Sequence, residues 1–73
     1  MLIKHSQGQV VTYINFEKVI EFESKGNNFI RLILVNNEVT EFYFESIQKR
    51  DKAMDRIVSD YNWQRTICDL DKE

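Results

Sequence analysis

Proline is absent from this 73-residue chain, and glycine occurs only at Gly8 and Gly26. Disordered and linker-rich chains are usually rich in both, so this is a folding composition. The single cysteine, Cys68, excludes an internal disulfide. The single histidine, His5, without a cysteine pair, excludes a conventional zinc site. The longest apolar run, Leu32 to Val35, is far too short to cross a bilayer. Neither sign of charge dominates, since ten Lys/Arg against twelve Asp/Glu leave a net charge of −2. No strong field therefore exists to draw in a polyanion, which disfavours nucleic acid as the main partner. There is no Gly-rich phosphate loop, nucleophile elbow, internal repeat or low-complexity stretch. A lone thiol and the lack of a secretory leader pattern point to the cytoplasm and to no membrane.

What remains is enough for one domain over residues 1–73. A domain of this size buries a small core and is marginal without a staple. Self-association, as a homodimer or higher, is the available way to bury more area.

The chain reads as α+β: an antiparallel β-meander of four to five strands, rolled into a half-barrel or left open, packed on one C-terminal helix. Strands are expected at about 2–5, 10–14, 19–24, 28–34 and 39–45, where β-branched and aromatic residues cluster between polar breaks. A helix is expected at about 46–61, where the apolar period changes from 2 to 3.6. Ser46 is placed as its N-cap, and Asn62 is placed to close it in a left-handed conformation. Ile47, Met54, Ile57, Val58 and Tyr61 share one arc, with Lys49, Lys52 and Arg56 nearly opposite. Residues 62–73 are open between a helical turn pair and a short strand at Arg65–Cys68, with 69–73 as a frayed charged end.

Register follows from side-chain parity. A two-residue loop at Asn36–Asn37 sets Leu32 opposite Glu41 and buries that carboxylate on the apolar face. A three-residue loop, Val35 to Asn37, with Asn37 left-handed in a bulge, pairs Leu32 with Thr40 and Ile30 with Phe42. Arg31 then meets Glu41, Ile33 meets Val39, and Phe29 meets Tyr43. A three-residue loop at 25–27 likewise sets Phe22 against Ile30 and Ile20 against Leu32. It also sets Glu21 against Arg31 and Val19 against Ile33. One face, with Ile20, Phe22, Ile30, Leu32, Leu34, Phe42 and Phe44, is the expected core.

The other face carries the candidate interface: Val19, Phe29, Arg31, Ile33, Val39, Glu41 and Tyr43, with Tyr13 and Val35 alongside. Its layout is an acid–base–acid row, Glu21–Arg31–Glu41, beside an apolar row and an aromatic pair. A contiguous apolar patch of this kind marks an interface unless β1 and β2 roll over it. The partner is then a second copy or another protein.

Other candidates weigh less. Arg31 holds Glu21 and Glu41 ionised, which is the wrong tuning for a proton donor. Aspartates near Cys68 oppose a thiolate nucleophile, and His5 reads as a surface or strand-edge residue. Lys49, Lys52 and Arg56, with Arg65 as an addition, are the nucleic-acid candidates, although Asp51, Asp55 and Asp60 are interleaved. No catalytic residue, metal or cofactor is assigned. The function expected is a non-enzymatic protein-interaction module, with nucleic-acid binding or a small-ligand-binding or phage-type inhibitor role as the alternatives.

Two resemblances carry further expectations. The run "YINFEKVIEFES", a hairpin, then "FYFESIQKRDKAMDRI" resembles short bacterial and phage proteins of uncharacterised function. Those have four or five strands and a closing helix introduced by Phe-x-Ser, matched here by Phe44, Ser46, Arg50, Asp51 and Ala53. The likeness covers about 60% of the chain and is a fold-level cadence. The stretch "VIEFESKGNNFIRLIL" is similar to the strand, Gly-Asn turn and strand of the LytTR DNA-binding domain, which implies DNA binding. That family's basic C-terminal strand and loop have no counterpart here, so no DNA-contacting residue is carried over.

Overall fold

The computed structural model describes residues 1–24, 26 and 28–72. Among them the chain is α+β, with six strands in two sheets and one helix. In chain order these are β1 (Leu2–Gln7), β2 (Val10–Asn15), a 3-10 turn (Phe16–Lys18), β3 (Val19–Glu23), β4 (Phe29–Leu34), β5 (Val39–Tyr43), α1 (Ile47–Asn62) and β6 (Ile67–Asp69). One sheet has the order β2-β1-β6 and the other β3-β4-β5. No helix among the described residues is long and apolar enough to cross a membrane.

The β1–β2 hairpin turns at Gly8, whose φ of +62° suits the left-handed position of a two-residue turn. The C-terminal segment left open by periodicity becomes β6, parallel to β1, with Cys68 beside Ile3. Lys4 carbonyl accepts from Leu70 N–H, and Ser6 is bonded by Asp71, so residues 70 and 71 are tied down. Lys25, Asn27 and Glu73, which the expected 25–27 loop and frayed end include, lie outside the described residues.

The β4–β5 register matches the parity argument: Ile30↔Phe42, Arg31↔Glu41, Leu32↔Thr40, Ile33↔Val39 and Phe29↔Tyr43. Asn37 has φ +66° and donates to the Leu34 carbonyl, so the loop spans three residues. The β3–β4 register differs from expectation. Phe22 faces Leu32, Glu23 faces Arg31 and Glu21 faces Ile33, two positions along from the expected pairs. An even shift leaves each side chain on its expected face. A bulge between Val19 and Glu21 then adds an odd step. Val19 turns inward to pair with Leu34 and pack on the core, and Ile20 is expelled to 61% exposure. Val19 therefore leaves the interface set and Ile20 leaves the core.

The core lies between the sheets and α1: Ile3, Ile30, Leu32, Phe42, Ala53, Ile57 and Cys68, with Phe22, Phe44 and Met54 packed against it. Ser46 caps α1 by accepting from Lys49 N–H, as expected. The buried line of α1 is Arg50, Ala53 and Ile57, whereas Ile47, Val58 and Tyr61 are exposed. At 100° per residue this is a rotation of about 60° from the apolar arc. The small Ala53 allows close approach to the sheet, and the Arg50 stem fills space while its guanidinium reaches Asp51 at 2.8 Å. Asn62 is the last helical residue, and Gln64 (φ +56°) is the left-handed one. Arg65 N–H bonds the Asp60 carbonyl and Gln64 N–H the Tyr61 carbonyl, the paired bonds of a Schellman ending.

Candidate protein-interaction surface

The helix and the core occupy one side of β3-β4-β5, and Arg31 and Ile33 stand on the other. β1 does not roll over this outer face, because Ile3 and His5 point into the core. Tyr13 belongs to the outer face of the other sheet, across from Lys4.

Arg31 lies between two carboxylates, as expected, but the pair is Glu23 and Glu41. Nε donates to Glu41 Oε2 at 3.1 Å, and Nη1 lies 3.6 Å from Glu23 Oε1. The guanidinium carbon also sits 5.6 Å from the centre of the Phe29 ring. Phe29 and Tyr43 rings pack at 5.4 Å. Tyr43 hydroxyl donates to Glu41 Oε1 at 3.0 Å, and that bond to a carboxylate holds the phenol above its usual pKa. Exposed ion pairs contribute only about 0–1 kcal/mol, so the row orders the face more than it stabilises the fold. Beside it Ile33 pairs with Val39, which is 55% exposed, and Tyr43 is 51% exposed. Phe29, Arg31, Ile33, Val39, Glu41 and Tyr43 are thus brought together, and Val19 is not. Parity alone was blind to Glu23, because an even register shift changes neighbours without changing faces.

The basic stripe is not on the far side of the helix. Lys49, Lys52 and Arg56 line a groove between α1 and the C-terminal segment, floored by Phe44, Ala53 and Leu70. Asp55, Asp60, Asp71 and Lys72 line it too, and Lys49 is paired with Glu45 at 3.0 Å, so charge there is mixed. Arg65 lies in a separate depression with Met1, Glu17 and Tyr61.

Cys68 and His5, the two side chains considered for reactivity, are both buried. Cys68 is buried, and burial together with its hydrogen bond to Asp60 pushes the thiol up to about 12. His5 is buried, not on the surface, with its ring 4.8 Å from Phe42 and 4.7 Å from Phe44. Its Nε2 lies 3.1 Å from the Tyr43 carbonyl, which can only accept, so Nε2 carries the proton. In the Phe-x-Ser cadence Phe44 and Ala53 pack, Ser46 caps, Arg50 fills and Asp51 is an exposed acceptor for Arg50. No group of three or more metal-ligand side chains stands together among the described residues. No family model, curated protein or solved structure matches the chain.

Proposed function

We propose that this chain is a small non-enzymatic protein-interaction module that self-associates, with the outer face of β3-β4-β5 as a contact surface. The observation that carries this reading is the Ile33–Val39 row, half-buried at Ile33 and exposed at Val39, lying directly beside the Glu23–Arg31–Glu41 row. The first supplies apolar driving force and the second supplies register and discrimination. The non-enzymatic part is supported by burial: the Cys68 thiol is held protonated, and the buried His5 ring bonds a backbone carbonyl through Nε2.

Light scattering over a micromolar concentration series tests it. Ile33→Glu or Val39→Glu places a carboxylate in the apolar row and is expected to lower the associated mass while leaving the circular dichroism spectrum intact. A folded Ile33→Glu chain that associates as strongly as the parent overturns the outer-face assignment.

A second reading, binding of nucleic acid through Lys49, Lys52 and Arg56, is favoured by their convergence on one groove. Asp55, Asp60 and Asp71 oppose it. Its mark is affinity that falls steeply with salt, and absence of DNA or RNA binding at low ionic strength removes it.

A further inference from the structure

The outer face of three strands is small. Five residues at about 3.3 Å and three strands about 4.8 Å apart give roughly 240 Å² in plan, against about 800 Å² per partner in a stable interface. Self-association therefore calls for a second surface, and the strand edges differ sharply in how they could provide one.

Three edges are blunted. β3 carries Glu21 and Glu23 and is kinked by its bulge. β6 has three residues and ends on Asp69. β5 turns the Val39, Glu41 and Tyr43 backbone outward, but Gln7 Oε1 accepts the Tyr43 N–H, His5 engages its carbonyl, and Glu41 puts a charge on the rest of that edge. These are the usual devices by which proteins prevent edge-to-edge pairing.

β2 has none of them. Its six residues, Val10–Asn15, include no charge and no proline, in a chain that is 30% charged. Every other strand carries at least one charged residue. Leu2 N–H and Lys4 C=O bond the C-terminal segment, so Ile3, His5 and Gln7 face β2 and bond Ile14, Thr12 and Val10. Val11 and Tyr13 consequently direct their N–H and C=O groups outward, and among the described residues nothing takes them up. The two residues are 48% and 57% exposed.

We infer that β2 pairs antiparallel with β2 of a second copy of this chain, across a two-fold axis at Thr12, joining the two β2-β1-β6 sheets into one. The strand is self-complementary in that register. Val11 lies opposite Tyr13 of the second copy, and each such pair exchanges both outward-pointing bonds. Val10 lies opposite Ile14, and Thr12 lies opposite itself. Aromatic–β-branched, aliphatic and Thr–Thr pairs are the favourable cross-strand combinations. Inner faces meet inner faces, because Ile14 and Thr12 share the side that Ile3 and His5 turn to the core. The chain is net negative, and this uncharged edge lets two copies approach without like charges in the seam.

The test compares the parent with Val11→Pro and Val11→Lys. Proline at 11 removes an outward N–H and spares the bonds to β1, a position where edge strands tolerate it. Lysine adds a charge to the edge and no backbone restriction. The parent is expected to associate by light scattering, and both variants to lose that step while keeping their spectra. Backbone amides of Val11 and Tyr13 are expected to slow in hydrogen exchange as parent concentration rises. A parent that stays monomeric into the hundreds of micromolar overturns the pairing. So does association that survives in both variants, or Val11 and Tyr13 amides that exchange freely in the associated state. If Val11→Pro fails to fold, Val11→Lys and the exchange measurement decide. Association lost with Ile33→Glu but kept with Val11→Lys overturns the edge pairing and leaves the outer-face reading standing. The converse result does the reverse.

Discussion

His5 Nε2 lies 3.1 Å from the carbonyl of Tyr43, a residue 38 positions away in the other sheet. Two positions along β1, Gln7 accepts the N–H of the same residue. The two sheets are therefore joined at β1 and β5 by side chains, where a closed barrel would use a backbone ladder. His5→Ala is expected to cost about 3 kcal/mol, from the space left between Phe42 and Phe44 and the stranded carbonyl. His5→Phe keeps an aromatic ring at the site, a somewhat larger one, and loses the donor, for about 1 kcal/mol. Urea denaturation midpoints check both, and a His5→Phe variant as stable as the parent removes the bond from the account.

The shifted β3–β4 register is testable through charge. Double-mutant cycles should give Arg31 a coupling of about 0.2–1 kcal/mol with Glu23 and with Glu41. Arg31 and Glu21 should show no measurable coupling, since Glu21 faces Ile33. A larger coupling to Glu21 than to Glu23 would restore the parity-based register.

Gln64 occupies a left-handed position at the end of α1 with φ +56°. Glycine adopts that conformation without the side-chain penalty, so Gln64→Gly is expected to stabilise the chain by about 1 kcal/mol. Thermal unfolding reads the gain directly. A lowered midpoint would mean that the Gln64 side chain makes a contribution the geometry does not reveal.

Acid should loosen the C-terminal segment. Burial alone would raise the Asp71 pKa, but the hydroxyl and N–H of Ser6, with Lys4 at 3.5 Å, together hold it below the usual 3.8. A depressed folded-state value stabilises the fold at pH above the unfolded pKa and loses that contribution as pH falls through the folded one. The stability curves of the parent and Asp71→Asn should therefore diverge at neutral pH and converge below pH 3.8. Curves that stay parallel through that range would rule out the linkage.

Cys68 should be inert in the native state. With its thiol near 12, about 10⁻⁴ of it is ionised at pH 8. Labelling by a thiol reagent is expected to follow the rate of opening of the core, and to quicken with sub-denaturing urea. Stoichiometric labelling within seconds in native buffer would contradict this.

The α+β class, the three-residue loop at Asn37 and the β4–β5 register were all legible from residue order. The reason is local: Glu41 and the apolar alternation of β4 permit one parity, and Asn tolerates the left-handed turn. The same parity placed Arg31, Ile33, Val39 and Tyr43 together on the outer face. It could not reveal the bulge at Ile20, because Val19 and Ile20 are both apolar and side-chain pattern does not say which of the two turns inward. The rotation of α1 was hidden for a related reason, since a small residue that fits closely can outrank a larger one in setting the buried side.

By itself, the order of residues determined the first five strands, the helix and which side of β4 is apolar, because those outcomes depend on neighbours two to four positions away. Tertiary structure decided the partner of Arg31, the burial of His5, the parallel docking of β6 and the fact that β2 is left as an open edge. Each of these depends on which distant backbone groups and apolar surfaces find one another when the chain closes, and no local period encodes that choice.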